Sequence, residues 1–282
     1  MSNQSTTEDD YAPAAGRGPE QPEQTVVHTS AAGLRVGNVE IPARDRTIPA
    51  YFARPGAGSK HPVILVVSEA FGLHEHIRDV ARRFAHEGYL AVAPDLLIRQ
   101  GEPRDFTDIG ELMNKLLLQI PDEQVMTDLD ATLAWAAAEG GDTNKVGITG
   151  FCWGGRWTWL YAARNALGAA VVWYGFVDGV SSGVFRPDDA KFPSHPIDVA
   201  AAMQTPVLGL YGGHDEAIAL DTVETMRARL REGNASARQC EIVVYPDAGH
   251  AFFADYRDSF IADAAANGWR RCTAWMHDRL KA

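Results

Sequence analysis

The stretch KVGITGFCWGGR, residues 145–156, decides how the rest of the chain is interpreted. Its first half is apolar and β-prone, and its second half can form a helix. Between them lies a Gly-x-Cys-x-Gly turn, in which Gly150 and Gly154 allow a strand and a helix to approach without a clash of Cβ atoms. The turn predicts that Cys152 stands above a sheet at a helix N-terminus, where backbone amides and the helix dipole favour a thiolate. The alternative is a small buried cysteine in a strand-to-helix turn.

The composition limits which classes of protein the chain can belong to. The chain has 282 residues, of which 46% are hydrophobic and 22% are charged, as in an ordinary globular protein. Its net charge of −11, without a basic cluster, makes nucleic acid and anionic membranes poor partners. No apolar run reaches the ~18 residues of a membrane span, and no signal peptide pattern opens the chain. Three cysteines without metal-type spacing suggest a reducing compartment, so we expect a cytoplasmic protein.

The N-terminal segment differs in composition from everything that follows. Residues 1–26 are polar, acidic and rich in Pro, Gly and Gln, so they cannot offset the entropy of ordering by burial. We predict that they form a disordered acidic tail. Residues 27–282 show no internal repeat and no strong linker, and they are expected to form a single domain.

The pattern of apolar residues predicts an α/β fold with a mostly parallel central sheet flanked by helices. An N-terminal antiparallel hairpin is expected, with strands around residues 34–41 and 47–52 on either side of a turn. Near-continuous apolar runs, typical of strands covered on both faces, then alternate with segments of helical spacing. These runs lie around residues 62–67, 89–93, 146–149, 169–173, 207–211 and 241–245. Asp122 is predicted to cap a helix, and residues 175–196 form a loop-like excursion, either a lid or a plain loop.

Three chemically useful side chains follow three of the predicted strands. In open α/β sheets, ligand sites lie at the carboxyl ends of the strands. Cys152, Asp215 and His250 occur there in the order nucleophile, acid, histidine, which is the order of an α/β-hydrolase triad. The histidine would take the thiol proton and return it to the leaving group, and the carboxylate would hold the imidazole. Taken singly, Asp215 also fits a turn or helix cap, and His250 a surface histidine.

Other candidate motifs are weaker. His74-Glu75-His76 offers metal-ligand types at positions i and i+2, but a helix splays these apart and no third ligand is indicated. No glycine-rich phosphate loop is present, because Gly154 and Gly155 belong to the turn around Cys152. We therefore predict neither a metal nor a cofactor.

Five short motifs together resemble the dienelactone hydrolase (carboxymethylenebutenolidase) family of α/β-hydrolases, over about residues 30–282. They are SEAFG at 68–72, APDL at 93–96, GFCWGG at 150–155, GGHD at 212–215 and AGHAF at 248–252. The resemblance implies the α/β-hydrolase fold and a Cys152–His250–Asp215 triad. It also implies that Glu69 contacts the thiol and helps to convert it to thiolate, and that the amides of Ala70 and Trp153 form the oxyanion hole.

The resemblance is thinner for substrate recognition. Family members bind an anionic unsaturated lactone through arginines, and Arg99 aligns with one of them. The second is expected at position 254, which is alanine, while Arg257 lies three residues further on. Binding of that particular lactone is therefore left open. Several aromatic residues are expected to line an apolar pocket, the alternative being simple packing. They are Phe71, Trp153, Trp173, Tyr174, Phe252 and Phe253.

The leading hypothesis is a cofactor-free hydrolase of lactones or small carboxylic esters that acts through an acyl-enzyme on Cys152. A general carboxylesterase or thioesterase without a preference for carboxylate substrates is the alternative within the enzyme class. A non-catalytic ligand-binding or thiol-sensing protein is the alternative of another class. The expected partner is a small-molecule ester or lactone, and the protein is expected to be a monomer or homodimer.

Overall fold

The computed structural model of the protein describes residues 25–180, 183–185 and 189–281. The predicted acidic tail, residues 1–26, lies outside the described residues except for Thr25 and Val26. The excursion at residues 175–196 is described in part. Its described residues contain no strand, and its last residue, Pro196, is the first residue of a short helix.

One sheet of eight strands organises the chain, in the order β1-β2-β4-β3-β5-β6-β7-β8. The strands are β1 (Leu34–Pro42), β2 (Thr47–Pro55), β3 (His61–Val67), β4 (Leu90–Pro94), β5 (Gly141–Phe151), β6 (Ala169–Trp173), β7 (Val207–Gly212) and β8 (Glu241–Tyr245). The β1–β2 and β2–β4 pairs are antiparallel, and every other pair is parallel. The predicted hairpin and mostly parallel sheet are confirmed.

Helices connect the parallel strands and flank the sheet. In the described residues they are α1 (Glu75–His86), α2 (Ile109–Lys115), α3 (Asp122–Ala138), α4 (Trp153–Arg164), α5 (Pro196–Val199), α6 (Leu220–Glu232) and α7 (Ala262–Leu280). Short 3-10 turns follow α2 and α5 and precede α2 and β8. Within the described part of the chain, every helix is too short or too polar to cross a membrane.

The centre of the sheet is inaccessible to water. Residues 63–67 of β3 and 90–93 of β4 are fully buried, as is β6 throughout. Parallel strands covered by helices on both faces need apolar side chains pointing in both directions, which explains their continuous rather than alternating hydrophobic runs. The antiparallel strand β1 is only half-buried and alternates in exposure along its length.

The predicted helix cap at Asp122 is wrong. Pro121 occupies the capping position with extended backbone angles, and Asp122 is the first residue of α3. The Asp122 carboxylate instead accepts two hydrogen bonds, of 2.8 and 3.1 Å, from the guanidinium of Arg156. Arg156 is fully buried in α4, and a buried cation requires an opposite charge beside it. The local sequence pattern cannot predict this ion pair, because the two residues are 34 positions apart.

The turn between β5 and α4 is as tight as the sequence suggested. Cys152 links the two elements with φ 51° and ψ −114°, a conformation that L-residues rarely adopt. A Cβ atom on Gly154 would lie 2.3 Å from the carbonyl oxygen of Ser68, and one on Gly150 would lie 2.5 Å from that of Gly154. Both positions therefore require glycine, because backbone atoms cannot move aside.

We expect Gly154→Ala to lower the free energy of unfolding by about 2 kcal/mol or more and to reduce activity, because the added methyl group overlaps the β3 backbone. Gly249→Ala is the matched control at the same edge of the sheet. A Cβ there meets nothing closer than 3.6 Å, so its effect should stay within about 0.5 kcal/mol. Denaturant titration measures both. Equal stability of the two variants would contradict the close approach of α4 to β3.

Candidate active site

Three strand ends deliver the triad residues predicted from the sequence to one place. Cys152 follows β5, Asp215 follows β7 and His250 follows β8. These strands lie in one parallel array, so their carboxyl ends share an edge of the sheet. The Nε2 atom of His250 lies 3.0 Å from Cys152 Sγ, and its Nδ1 lies 2.9 Å from Asp215 Oδ2. Residues separated by 98 and 35 positions along the chain are thus in hydrogen-bond contact.

Asp215 holds both the histidine and its own loop. One carboxylate oxygen accepts hydrogen bonds from the amides of Ala217 and Ile218, both at 2.9 Å. The other oxygen faces His250, and the side chain is fully buried. The role as a turn cap and the role as a partner of histidine, which the sequence left as alternatives, are therefore combined in one side chain. A carboxylate fixed in this way holds the imidazole in the orientation that presents Nε2 to sulphur.

The charge of His250 is set by its two partners. Burial disfavours the imidazolium, but the charge of the Cys152 sulphur and the hydrogen bond to Asp215 outweigh it and raise the pKa of His250 to about 10. About a fifth of the side chain is exposed, so the ring is within reach of solvent. The histidine can thus hold a proton beside the sulphur and exchange it with water.

Backbone strain is concentrated at this site. Among the described residues other than glycine, the only positive φ angles are those of Cys152, Tyr174 and Ala251, at 51°, 39° and 59°. Tyr174 follows β6, its ring centre lies 5.3 Å from that of His250, and Ala251 is the next residue after His250. Sparsely populated backbone conformations persist where surrounding structure enforces them, and they cluster at functional sites.

The first turn of α4 and the loop after β3 meet beside Cys152. The amide of Cys152 donates to the carbonyl of Trp173 at 2.9 Å, which ties the turn to β6. Trp153 is the first residue of α4, so its amide has no carbonyl partner within its own helix. Gly154 packs against the carbonyl of Ser68, two residues before Ala70, so the loop that carries Ala70 begins at this contact.

Glu69 does not contact the thiol in this structure, although the family resemblance implies that it does. Its Oε1 accepts a hydrogen bond of 3.0 Å from His74 Nε2 and another from the hydroxyl of Tyr256. The residue is almost fully buried, and its Oε2 has no hydrogen-bond partner among the described residues. Burial raises the pKa of Glu69, but the hydrogen bond from His74 and then the charges of His74, His76 and Arg257 outweigh it, so the pKa is lowered.

Sequence analysis missed the residues that surround Glu69. The sequence pattern indicates only a weak metal site for His74 and His76, yet His74 binds Glu69 at 3.0 Å and His76 binds Asp255 at 2.9 Å. Within the described residues, no group of three or more His, Cys, Asp or Glu side chains is arranged to hold a metal ion. The sequence around Tyr256 does not predict its contact with Glu69, because the two residues are 187 positions apart and only the fold brings them together.

The predicted role of Arg99 in substrate binding is not supported by its surroundings. Its guanidinium donates to both oxygens of Asp45, at 2.6 to 3.1 Å, and to both oxygens of Asp128, at 2.6 and 2.9 Å. The side chain is 12% exposed, and that of Asp128 is 1% exposed. Two carboxylates already satisfy this cation, so it ties the β1–β2 turn to α3 instead of offering a free charge to a ligand.

Several of the predicted pocket aromatics are packing residues. Trp173, Tyr174 and Phe252 have no exposed surface, so a ligand cannot touch them without a rearrangement of side chains. The Trp173 indole donates to Thr149 at 3.2 Å and packs on Phe253 with ring centres 4.3 Å apart. Trp153 is 2% exposed and packs edge-on against Trp157. These rings are part of the buried core.

Phe71 and Arg257 differ from the buried aromatics. Phe71 lines a cavity of about 320 Å³ together with Gly72 and His74, from the same loop that carries Glu69. The guanidinium of Arg257 lies 5.5 Å from the Phe71 ring centre and is close enough to Glu69 to favour its charge. Successive turns in which Ala254 bonds to Ala251 and Arg257 to Ala254 bring this arginine back to the site.

A mostly parallel eight-stranded sheet with a cysteine on the sharp turn between strand and helix defines an α/β-hydrolase fold. A sequence model of the dienelactone hydrolase family matches residues 48–280, and the chain belongs to this family. It is a hydrolase that acts on ester or lactone bonds.

Relatives extend over almost the whole chain. A "Putative carboxymethylenebutenolidase" of Salmonella typhimurium is 50% identical over 268 residues, which cover 94% of each chain. A protein of the same name from Escherichia coli K12 is 48% identical over 273 residues, 96% of each chain. The crystal structure described as "Putative Dienelactone Hydrolase" from Klebsiella pneumoniae is 51% identical, with a TM-score of 0.81, and covers 86% of this chain and 98% of that one.

We expect His250 to keep its proton between pH 6.5, its ordinary pKa, and about pH 10. Cys152→Ser removes the sulphur charge that contributes to this shift, so the pKa of His250 should fall toward its ordinary value. Imidazole ¹⁵N NMR measures the titration. Cys272→Ala, which changes a fully buried cysteine in α7, is the control and should leave the curve unchanged. A His250 that titrates identically in all three proteins would contradict the coupling to Cys152.

Proposed function

We propose that the protein hydrolyses lactones or small carboxylic esters through an acyl-enzyme on Cys152. The contact that carries the proposal is the chain of two hydrogen-bond distances, 3.0 Å from Cys152 to His250 and 2.9 Å from His250 to Asp215. Nucleophile, base and orienting acid are the three parts that acyl transfer by a side chain requires. Family membership supports the bond type, and the geometry supports the division of roles.

The steps follow from the positions of the three groups. Thiolate Sγ of Cys152 attacks the carbonyl carbon, and the C=O electron pair moves to oxygen. Collapse of this tetrahedral intermediate breaks the bond to the alkoxide, which takes the proton from His250 Nε2. His250 then removes a proton from water, and the resulting hydroxide attacks the thioester. The acid product leaves, and the thiolate–imidazolium pair is restored.

The oxyanion of each intermediate would be held by the amides of Trp153 and Ala70. Trp153 supports this role because a first-turn amide has no partner in its own helix and points along the helix dipole. Ala70 supports it because its loop packs on the first turn of α4. Donors fixed by backbone geometry stabilise developing charge without reorganisation. Side chains, amides and water suffice for this chemistry, so no cofactor forms part of the proposal.

We expect Cys152→Ala to lower kcat/KM for an activated short-chain ester by at least about 10³-fold, because the covalent route is lost. Rapid quenching and mass spectrometry of the wild-type protein should show an added acyl group on Cys152. Cys272→Ala is the matched control and should show wild-type turnover and the same adduct. Retention of wild-type turnover by Cys152→Ala would contradict the assignment of Cys152 as the nucleophile. The cysteine would then serve another role, such as ligand binding or thiol sensing.

Within this function, Arg257 is the cation that we propose for recognition of an anionic lactone. Arg99 is held between two carboxylates, whereas Arg257 lies over the Phe71 ring and beside Glu69. A charge-assisted hydrogen bond from a guanidinium is a strong and directional contact for a substrate carboxylate. The alternative, a general esterase or thioesterase without carboxylate preference, is favoured by the pairing of Arg99.

We expect Arg257→Gln to lower kcat/KM for an anionic dienelactone about tenfold, the value of one charge-assisted hydrogen bond, with little change for a neutral lactone of the same ring. Arg99→Gln is the comparison variant. It strands the buried Asp128 carboxylate and should lower stability by about 3 kcal/mol without changing the ratio of anionic to neutral rates. An unchanged ratio in Arg257→Gln would favour the general esterase.

A further inference from the structure

Two aromatic rings flank the histidine of the proposed triad. The ring centre of Tyr174 lies 5.3 Å from that of His250, and the ring centre of Phe176 lies 6.4 Å from it with planes inclined by 37°. Tyr174 has no exposed surface, whereas Phe176 is 7% exposed. Of these two rings, only that of Phe176 therefore offers surface to a ligand bound beside His250. The sequence motifs did not single out this residue.

The backbone on either side of Phe176 is held by a helix. A Cβ atom on Gly175 would lie 2.5 Å from the carbonyl carbon of Gly155, so the start of the excursion, residues 175–196, touches the first turn of α4. The carbonyl of Val177 accepts a hydrogen bond of 3.0 Å from the amide of Ile197 in α5. Because both neighbours of Phe176 are fixed, its side chain has little freedom to move away from His250.

A second phenylalanine of the excursion packs against Phe176. The ring of Phe185 meets that of Phe176 edge-on, with centres 6.4 Å apart and planes inclined by 85°. The amide of Phe185 donates to the carbonyl of Gly179 at 2.9 Å, and its ring lies so close that a Cβ atom on Gly179 would meet it at 1.8 Å. Phe192 packs on the Phe185 ring with centres 4.8 Å apart. The described residues of the excursion thus place an aromatic cluster next to Phe176.

The guanidinium of Arg156 holds this cluster. Its Cζ atom lies 4.8 Å from the ring centre of Phe185 and 5.4 Å from that of Phe192. It donates two hydrogen bonds to Asp122 of α3 and one of 2.8 Å to the carbonyl of Ser194. The side chain has no exposed surface. A planar cation that stacks on aromatic rings and forks onto a carboxylate makes a rigid connection, here between α3, α4 and the excursion.

The excursion has a further attachment at the start of α3. The amide of Asp122 donates to the carbonyl of Lys191 at 2.9 Å, and the Lys191 ammonium donates to the carbonyl of Leu118 at 2.7 Å. Arg156 itself follows Cys152 by four residues, about one helical turn. The position of the excursion is therefore set relative to the same helix that carries the proposed nucleophile at its start.

We infer that Phe176 is a specificity-determining residue that limits the size of the alcohol part of the ester or lactone, and that Arg156 is the positioning residue for it. The inference rests on the proposed function, in which His250 gives its proton to the leaving alkoxide. The alkoxide oxygen must then lie within about 3 Å of His250 Nε2, and the carbon atoms attached to it lie beside the histidine ring. Phe176 is the apolar surface that these carbon atoms meet. The substrates are therefore esters or lactones with little branching next to the alcohol oxygen.

The test varies the two halves of the ester separately. Methyl, isobutyl and neopentyl chloroacetate form the alcohol series, and the methyl esters of chloroacetic, isobutyric and pivalic acid form the acyl series. We expect Phe176→Ala to raise the ratio of kcat/KM for the neopentyl ester to that for the methyl ester about tenfold, because the lost ring makes room for the branched group. Phe176→Trp should lower this ratio. Ratios within the acyl series should stay as in the wild type.

Arg156→Lys tests the positioning role. Lysine keeps the charge but loses the planar fork that holds Asp122 and the carbonyl of Ser194 together. We expect the neopentyl-to-methyl ratio to rise toward that of Phe176→Ala. The double variant of Arg156→Lys with Phe176→Ala should have the same ratio as Phe176→Ala alone, because both changes act through one ring. A residue that only stabilises the fold would not produce this non-additive change in selectivity.

Two control variants match these changes. Phe106→Ala removes a half-buried phenylalanine outside the excursion, and Arg82→Lys changes a buried arginine that pairs with Glu75 and Asp79 of its own helix. Both should leave the neopentyl-to-methyl ratio unchanged. If Arg156→Lys does not fold, Phe185→Leu replaces it, because that variant removes the ring that lies between the guanidinium and Phe176.

An unchanged neopentyl-to-methyl ratio in Phe176→Ala would overturn the inference, and so would an equal change across the acyl series. Additive effects of Arg156→Lys and Phe176→Ala would overturn the positioning role of Arg156. Failure of the proposed function gives a different result. Wild-type turnover by Cys152→Ala, with a size ratio that still responds to Phe176→Ala, would remove Cys152 as the nucleophile and support Phe176 as the residue that limits the alcohol part. Absence of turnover of every ester by the wild type would remove both.

Discussion

The site depends on the contact of the first turn of α4 with the end of β3. No side chain fits between Gly154 and the carbonyl of Ser68, so the two backbones touch. This contact fixes the first turn of α4, and with it Cys152, against the start of the loop that carries Glu69 and Ala70. The positive φ of Cys152 is the conformational cost of the arrangement. Packing of α4 on β5 and β6 offsets that cost and holds the cysteine in one orientation.

Two acid–imidazole pairs lie within a short distance of each other and differ in access to solvent. His250 is a fifth exposed and faces a sulphur atom, whereas His76 is buried among aromatic rings. A histidine that must exchange protons with water and substrate needs the first environment.

Arg99 and Arg257 differ in what their guanidinium groups contact. Arg99 forms ion pairs with Asp45 and Asp128 and so links the β1–β2 turn to α3. Arg257 reaches the loop of Glu69 from a different position in the chain. A cation at the mouth of a site can be supplied from several elements, because its long side chain tolerates changes in backbone position. Cys152, the proposed nucleophile, cannot be moved in this way, because packing fixes its backbone angles and requires its glycine neighbours.

The sequence by itself determined the mostly parallel sheet, the hairpin before it, the turn at Cys152 and the chain order of Cys152, Asp215 and His250. These features are local, since apolar periodicity and glycine spacing act within a few residues and strand ends meet at one edge. Only the tertiary structure decided that Glu69 binds His74 and Tyr256, that Asp122 binds Arg156 and that Arg99 is already paired. Each of these is a choice of partner for a buried polar group among residues distant in the chain. Such choices depend on which side chains the completed fold leaves within 3 Å of each other, and no local pattern encodes that distance.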